Sequence, residues 1–218
     1  MEALILYFVL FFPAMPIWSS ADSLAETVRI IPFSITRELA RTVTHTLPAI
    51  ALLLYLIYSK IPSKEGFSPR RAAVPGRRDI PAFAIGLPIL IIIGLFVAFL
   101  TGLAAGISPP VRIAGPYSFL GWAVVILACL GTGYLEEIYF RYYLLTKTEN
   151  LIPNTTSRVM LSVLLFAACH IHDGFWGVLN AAIAGLFLAV LFLRYRSLHG
   201  IALAHAGYNV FVYAMGVG

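Results

Sequence analysis

Two neighbouring glutamates and an arginine occur where a long apolar stretch has not yet ended. Glu136 and Glu137 follow the segment SFLGWAVVILACLGTGYL, and apolar and aromatic residues continue beyond Arg141. A charge at the centre of a membrane helix costs about 2.5 to 3.5 kcal/mol, so such residues usually face the bundle interior and indicate a functional site. The alternative, a helix end at the water interface, is disfavoured by the continuing apolar pattern.

Helix geometry predicts different surroundings for the two carboxylates. Residues four apart share one helix face, so we expect Glu137 to pair with Arg141. Glu136 then points toward a different wall of the bundle and lacks that partner. An unpaired carboxylate in an apolar interior is suited to general acid and base chemistry.

The histidines of the chain are concentrated in its last fifty residues, where four of the five lie. His170 follows Phe166 by four residues and His205 precedes Asn209 by four, so each pair shares a helix face. At a rise of 1.5 Å per residue, Glu136 and His170 are each about 18 to 20 Å from the inner ends of their helices. The same count places His205 and Asn209 about 8 and 14 Å deep.

Each polar residue alone could be an interhelical hydrogen-bonding group, which contributes about 0.6 kcal/mol on average. Polar residues from three helices at matched depth favour a shared site instead. We expect His45 and His199 to be interfacial and His172 to lie in a turn or loop.

Such a set of groups is suited to peptide hydrolysis. A carboxylate and an imidazole can take a proton from one water, and a second imidazole with an amide can stabilise the oxyanion. Cys169 and His170 are adjacent and diverge, and a GxSxG nucleophile motif does not occur. A zinc site formed by Glu136, His170 and His205 stays open as an alternative, although the HExxH signature is also missing. We expect neither a metal nor another cofactor.

The composition indicates the elements that must position these residues. Hydrophobic residues make up 60% of the 218, and charged residues only 11%, against roughly 25% in soluble domains. A membrane helix needs about 20 apolar residues. Windows without Asp, Glu, Lys or Arg cover residues 3–21, 42–59, 80–111, 113–135, 159–172, 174–193 and 197–218.

The sequence therefore predicts an all-α, polytopic membrane helix bundle of about six to seven transmembrane helices. Between residues 22 and 42, apolar residues at helical spacing alternate with charges and predict an interfacial amphipathic helix. We expect one membrane domain over residues 1–218, with N-terminal helices and a basic loop in 1–112 and the catalytic helices in 113–218.

The distribution of Lys and Arg predicts the orientation of the bundle. The loop at 60–79 is the most basic and is placed in the cytoplasm. Positive-inside topology accounts for the net charge of +5, so the expected partners are the lipid bilayer and a membrane-associated protein or peptide substrate, with no nucleic acid.

Three short motifs carry a resemblance to a known family. EEIYFR (136–141), FAACH (166–170) and HAGYN (205–209) are similar, in that order, to the EExxxR, FxxxH and HxxxN boxes of the CAAX protease and bacteriocin-processing family of intramembrane glutamic proteases. The resemblance covers roughly residues 119 to 214.

The resemblance implies a role for each matching residue. Glu136 and His170 would activate the water, and His205 with Asn209 would form the oxyanion hole. Glu137 and Arg141 would be a supporting pair, with Phe166 in the second motif. The family includes prenyl-protein endopeptidases and bacteriocin-maturation and immunity proteins, and the compactness of this chain favours a prokaryotic member of the cell (inner) membrane.

A function from another class also fits intramembrane Glu and His residues. A proton-coupled carrier uses them as a relay, and an immunity-type protein could bind a peptide without cutting it. Carriers often show paired broken helices in two halves, and this chain has no such internal repeat.

Overall fold

The computed structural model describes residues 2–11, 29–31, 33–60, 74–104, 111–149 and 151–216. Nearly all of these residues are helical, which confirms the predicted helical bundle. The α-helices are α1 (Glu2–Phe11), α2 (Ile35–Arg41), α3 (Leu47–Lys60), α4 (Asp79–Leu103), α5 (Phe119–Glu137), α6 (Leu144–Lys147), α7 (Thr155–Ala168), α8 (Gly174–Tyr195) and α9 (Leu198–Met215). The remaining elements are π-helices at Thr42–Thr46 and Ile138–Tyr143, a 3-10 helix at Ile171–Asp173, and strands β1 (Arg29–Ile31) and β2 (Val111–Ile113).

Within the described ranges, four helical stretches are long and apolar enough to cross a membrane. They are Ile35–Ile57, Asp79–Leu103, Phe119–Thr146 and Ile171–Tyr195. Helices α1 and α7 are apolar but shorter. Helix α9 is 18 residues long and carries the polar residues of the third motif. Of the first apolar window, residues 12–21 lie outside the described part of the chain.

The segment expected to form a separate interfacial helix is organised differently. Residues 29–31 form β1, and the helix that begins at Ile35 continues through the first π-helix into α3. Ser34 caps this helix by accepting a hydrogen bond from the Arg37 amide. The helical periodicity between 33 and 42 therefore belongs to the start of a spanning helix. Residues 22–28 of the predicted segment are outside the described ranges.

Glycines allow the close helix packing that brings the site together. Helix α9 packs against both α4 and α5. A Cβ atom at Gly133 of α5 would lie 2.9 Å from the carbonyl oxygen of Ala202, and one at Gly86 of α4 would lie 2.8 Å from the Cβ of Ala204. Small residues at these crossings let helix backbones approach closely, as is common in membrane bundles. His205 therefore lies against the end of α5.

Each end of the bundle has a contact between loops that the charge distribution places on the same side of the membrane. β1 pairs in parallel with β2, which places Arg29 and Arg112 at the same end. At the opposite end of α4, Asp79 accepts a hydrogen bond from Ser197, the residue after Arg196. The assignment of the second end to the cytoplasm stays a prediction, as does the division of the chain at residue 112.

Candidate active site

The first motif lies at a change of helix type. Glu136 and Glu137 are the last two residues of α5, and the next six residues form the second π-helix. The Leu144 amide bonds to the carbonyl of Tyr139, five residues earlier, and the carbonyl of Phe140 accepts a hydrogen bond of 2.8 Å from the Ser162 hydroxyl of α7. Short π-helical segments are frequent at functional sites. Here the segment displaces the backbone directly after the two carboxylates.

Glu137 is at the centre of a fully buried polar network. Its Oε1 atom accepts a hydrogen bond from Nδ1 of His205 at 2.8 Å and lies 3.1 Å from Nη1 of Arg141. Neither Glu137 nor Arg141 is exposed. Arg141 also donates from Nη2 to the carbonyl oxygen of Gly185, at 3.1 Å. The expected ion pair is present, and Glu137 additionally holds His205, which helical spacing could not show.

Glu136 differs from the expectation that it points to a separate wall. Its Oε2 atom lies 3.5 Å from Nε2 of His205, so one imidazole lies between the two carboxylates. The two nitrogens of the His205 ring point in different directions. One ring can therefore contact both Glu136 and Glu137, although these neighbouring side chains diverge. Oε2 is buried without a hydrogen-bond partner among the described residues, which leaves it able to accept a hydrogen bond from water.

His170 lies just beyond the end of α7, in a turn before the 3-10 helix, whereas a continuous helix was expected. The helix ends at Ala168, and the imidazole reaches back to the carbonyl oxygen of Phe166, with Nδ1 at 2.9 Å. A carbonyl only accepts hydrogen bonds, so Nδ1 carries the hydrogen. In the neutral ring Nε2 then keeps its lone pair, as a proton acceptor requires.

Phe166 connects the three motifs. Its ring centroid lies 4.9 Å from that of His170 and 5.8 Å from that of His205. The guanidinium carbon of Arg141 is 4.3 Å from the same ring, in a cation-π arrangement. Phe166 is buried and therefore separates these polar groups from lipid. Both histidines thus pack on one aromatic ring.

Asn209 lies one helical turn beyond His205 on α9 and is half-buried. The other histidines have different partners. Nδ1 of His199 is 2.9 Å from the Tyr134 hydroxyl, and Nε2 of His172 is 3.3 Å from Asp173 in the turn where it was expected. His199 and His172 therefore contact residues that lie outside the three motifs.

Sequence reasoning missed three supporting residues. They are Ser162, which bonds to the π-helix, Gly185, whose carbonyl holds Arg141, and Phe140, whose ring is 5.1 Å from that of Phe166. Of these, only Gly185 has a signal in the sequence, because it lies in the small-residue run AAIAG, which is typical of close helix contacts.

The described ranges contain no group of three or more His, Cys, Asp or Glu side chains placed to hold a metal ion. An apolar cavity of about 270 Å³ lies on a different face of α9, where Leu203, Ala206 and Gly207 line it together with Phe83 of α4 and Ile126 of α5. None of the predicted site residues lines this cavity.

The comparison with known families decides the class of the protein. Residues 118–211 match the model of the type II CAAX prenyl endopeptidase family, described as Rce1-like. This part of the chain is similar to that family. The match covers somewhat less than half of the chain and contains every predicted site residue. No curated protein and no solved structure gave a match.

The Rce1-like domain confirms the resemblance seen in the three motifs. The match supports, in general terms, an intramembrane peptide hydrolase of the CAAX protease type. Together with the four apolar helices, it identifies an integral membrane protein. Family membership implies a membrane-associated protein or peptide as the substrate.

Proposed function

We propose that the protein is an intramembrane glutamic endopeptidase that cleaves a peptide bond of a membrane-embedded or lipid-anchored protein or peptide. The observation that carries the proposal is the His205 imidazole held between the carboxylates of Glu136 and Glu137, at 3.5 and 2.8 Å. Ionisable side chains within a membrane bundle are energetically costly, so their presence indicates a functional site.

In the proposed mechanism, Glu136 and His170 bind the nucleophilic water. One of them takes a proton from the water as its oxygen attacks the carbonyl carbon of the scissile bond. The free Oε2 of Glu136 and the Nε2 lone pair of His170 are the available proton acceptors. When the tetrahedral intermediate collapses, the C–N bond breaks and the proton passes to the leaving amine.

His205 and Asn209 stabilise the oxyanion of that intermediate. Nε2 of His205 can donate when the ring carries both protons, and the Asn209 amide donates from one turn away. In that state, with both carboxylates ionised, the formal charges of Glu136, Glu137, Arg141 and His205 sum to zero. Removing one oxyanion donor typically costs about 100- to 1000-fold in rate.

Glu137, Arg141 and Phe166 position the reacting groups. Glu137 fixes the orientation of His205, and Arg141 compensates the charge of Glu137 while bonding to α8. Phe166 packs on both histidines and on the guanidinium. Their replacement is expected to change how well the reacting groups align.

The test compares the carboxy termini of membrane proteins in cells that express the wild-type protein or Glu136→Gln. Loss of a general base lowers the rate by about 100- to 10,000-fold. We expect new carboxy termini with the wild type that disappear with Glu136→Gln. Glu149→Gln is the matched control, since Glu149 is an exposed carboxylate 3.5 Å from Arg158 in the loop before α7.

A substrate found in this way is then used with purified protein in liposomes. Cleavage that persists in Glu136→Gln would refute the assignment of the base. Prenylated and unprenylated forms of the same peptide separate a requirement for the lipid from recognition of sequence. Inactivation by a chelator, restored by added metal, would support the metal-dependent version instead. A prokaryotic cell membrane stays the predicted location.

A further inference from the structure

The N-terminal helix α1 contacts the segment that carries the first motif, although it lies outside the Rce1-like domain. The Tyr139 hydroxyl donates to the carbonyl oxygen of Ala3 at 2.6 Å. The Tyr143 hydroxyl donates to Oε1 of Glu2 at 2.8 Å. Both tyrosines are fully buried and belong to the second π-helix. Two hydrogen bonds therefore attach the start of α1 to this segment.

Aromatic rings continue this contact toward the site. The Phe11 ring lies 4.8 Å from that of Phe140 and 5.1 Å from that of Tyr139. Phe140 in turn packs edge to face on Phe166 at 5.1 Å. Phe166 is the ring on which both histidines and Arg141 pack. An unbroken row of ring contacts thus leads from α1 to the proposed catalytic groups.

The two faces of α1 differ in a way that fits this arrangement. Tyr7 and Phe11 are buried at 4% and 7% exposure, while Phe8 on the same helix is 54% exposed. A helix that only anchored the chain in lipid would not need aromatic side chains buried against the second π-helix. The π-helix is a rare backbone geometry, and the hydroxyls of two of its tyrosines bond to the start of α1.

We propose that α1 is a positioning element of the active site, which holds the second π-helix and, through Phe11 and Phe140, the Phe166 ring against the catalytic histidines. This inference rests on the proposed function. Small displacements of reacting groups lower rates strongly, by about 100-fold for 1 Å. Loosening α1 is therefore expected to lower kcat and to leave KM nearly unchanged.

The experiment measures cleavage of the identified substrate by full-length protein in liposomes. Phe11→Leu keeps an apolar side chain of similar volume, and we expect a loss of about tenfold in kcat with KM within twofold. Phe8→Leu is the matched control on the exposed face and should retain wild-type kcat. Tyr143→Phe removes only the hydroxyl that bonds to Glu2 and should lower kcat in the same direction.

A double-mutant cycle tests the route through Phe140. If Phe11 acts on the site through Phe140, the Phe11→Leu/Phe140→Leu double variant loses little more than the larger single loss. Wild-type kcat in both Phe11→Leu and Tyr143→Phe, or fully additive losses in the cycle, would overturn the inference. Such a result with inactive Glu136→Gln would leave the proposed function intact, whereas an active Glu136→Gln variant would refute the proposed function itself.

Discussion

The described part of the chain contains two π-helices, each close to a Glu–Arg pair, and they are held in different ways. At Thr42–Thr46, hydroxyls of the same helix satisfy the carbonyls, since Thr42 donates to Glu38 and Thr44 to Ala40 at 2.8 and 2.7 Å. At Ile138–Tyr143, the Thr146 hydroxyl of the next turn donates likewise to the carbonyl of Tyr142, and Ser162 of α7 donates in addition to that of Phe140. The hydroxyls that support the first π-helix are local, whereas the second also has support from another helix.

The two Glu–Arg pairs also differ, in how far their arginines are exposed. Arg41 pairs with Glu38 at 2.8 Å but is 42% exposed, whereas Arg141 and Glu137 are fully buried. Exposed pairs contribute about 0 to 1 kcal/mol, while breaking a buried pair costs about 3 to 5 kcal/mol. The comparison indicates that similar local motifs support different roles, and that only the buried one can hold chemistry away from water.

The largest expected difference comes from removing the two arginines. Arg141→Met leaves the Glu137 carboxylate buried without its cation, so we expect a loss of about 3 to 5 kcal/mol in the free energy of unfolding. Arg41→Met removes a partner that is 42% exposed and leaves the buried Glu38 carboxylate with Arg37 at 3.5 Å, so the loss should be smaller than for Arg141→Met. Denaturation of the purified proteins in mixed detergent micelles measures both values. Equal losses in the two variants would contradict the distinction between the regions.

The sequence predicted the helices that carry the site better than the contacts between those helices. The charge-free windows predicted the main helices, and the i to i+4 spacing predicted the Glu137 and Arg141 pair. The position of His205 between two carboxylates was not predictable, because it depends on how closely α9 approaches α5 at Gly133. Spacing rules apply within one helix, while these contacts join two.

The end of α7 shows the same limit. The window without Asp, Glu, Lys or Arg runs through residue 172, and this pattern alone therefore extends the helix past His170. The structure ends the helix at Ala168, since the side chains of Cys169 and His170 both bond to the carbonyl of Phe166. Competition between side chain and backbone for one carbonyl is a local event that periodicity does not register.

Two glycines provide a second, smaller contrast. A Cβ at Gly185 would lie 2.7 Å from Cδ1 of Phe166, beside Arg141, while one at Gly131 would lie 3.0 Å from the Thr46 methyl of the first π-helix. Gly185→Ala is expected to destabilise by about 1 to 3 kcal/mol through overpacking. It should also lower the cleavage rate, because the Phe166 ring must move.

Gly131→Ala is the control for this contrast. The gain in helix propensity is about 1 kcal/mol and offsets much of its milder crowding. Its unfolding free energy should stay within about 1 kcal/mol of wild type, and its cleavage rate should not change. A greater loss of activity in Gly131→Ala than in Gly185→Ala would mean that the first π-helix, too, contributes to the site.

The smallest effect is expected from the hydroxyls that support the two π-helices. Ser162→Ala removes the hydroxyl that donates to the Phe140 carbonyl and should cost about 1 kcal/mol, the usual net contribution of one hydrogen bond. Thr44→Val removes an exposed hydroxyl, and surface changes of this kind stay within about 0.5 kcal/mol. Because Phe140 packs on Phe166, Ser162→Ala should also lower the cleavage rate while Thr44→Val does not. If Ser162→Ala retained full stability and activity, the hydrogen bond from α7 would not be needed to hold the second π-helix. The contrast between the supports of the two π-helices would then be lost.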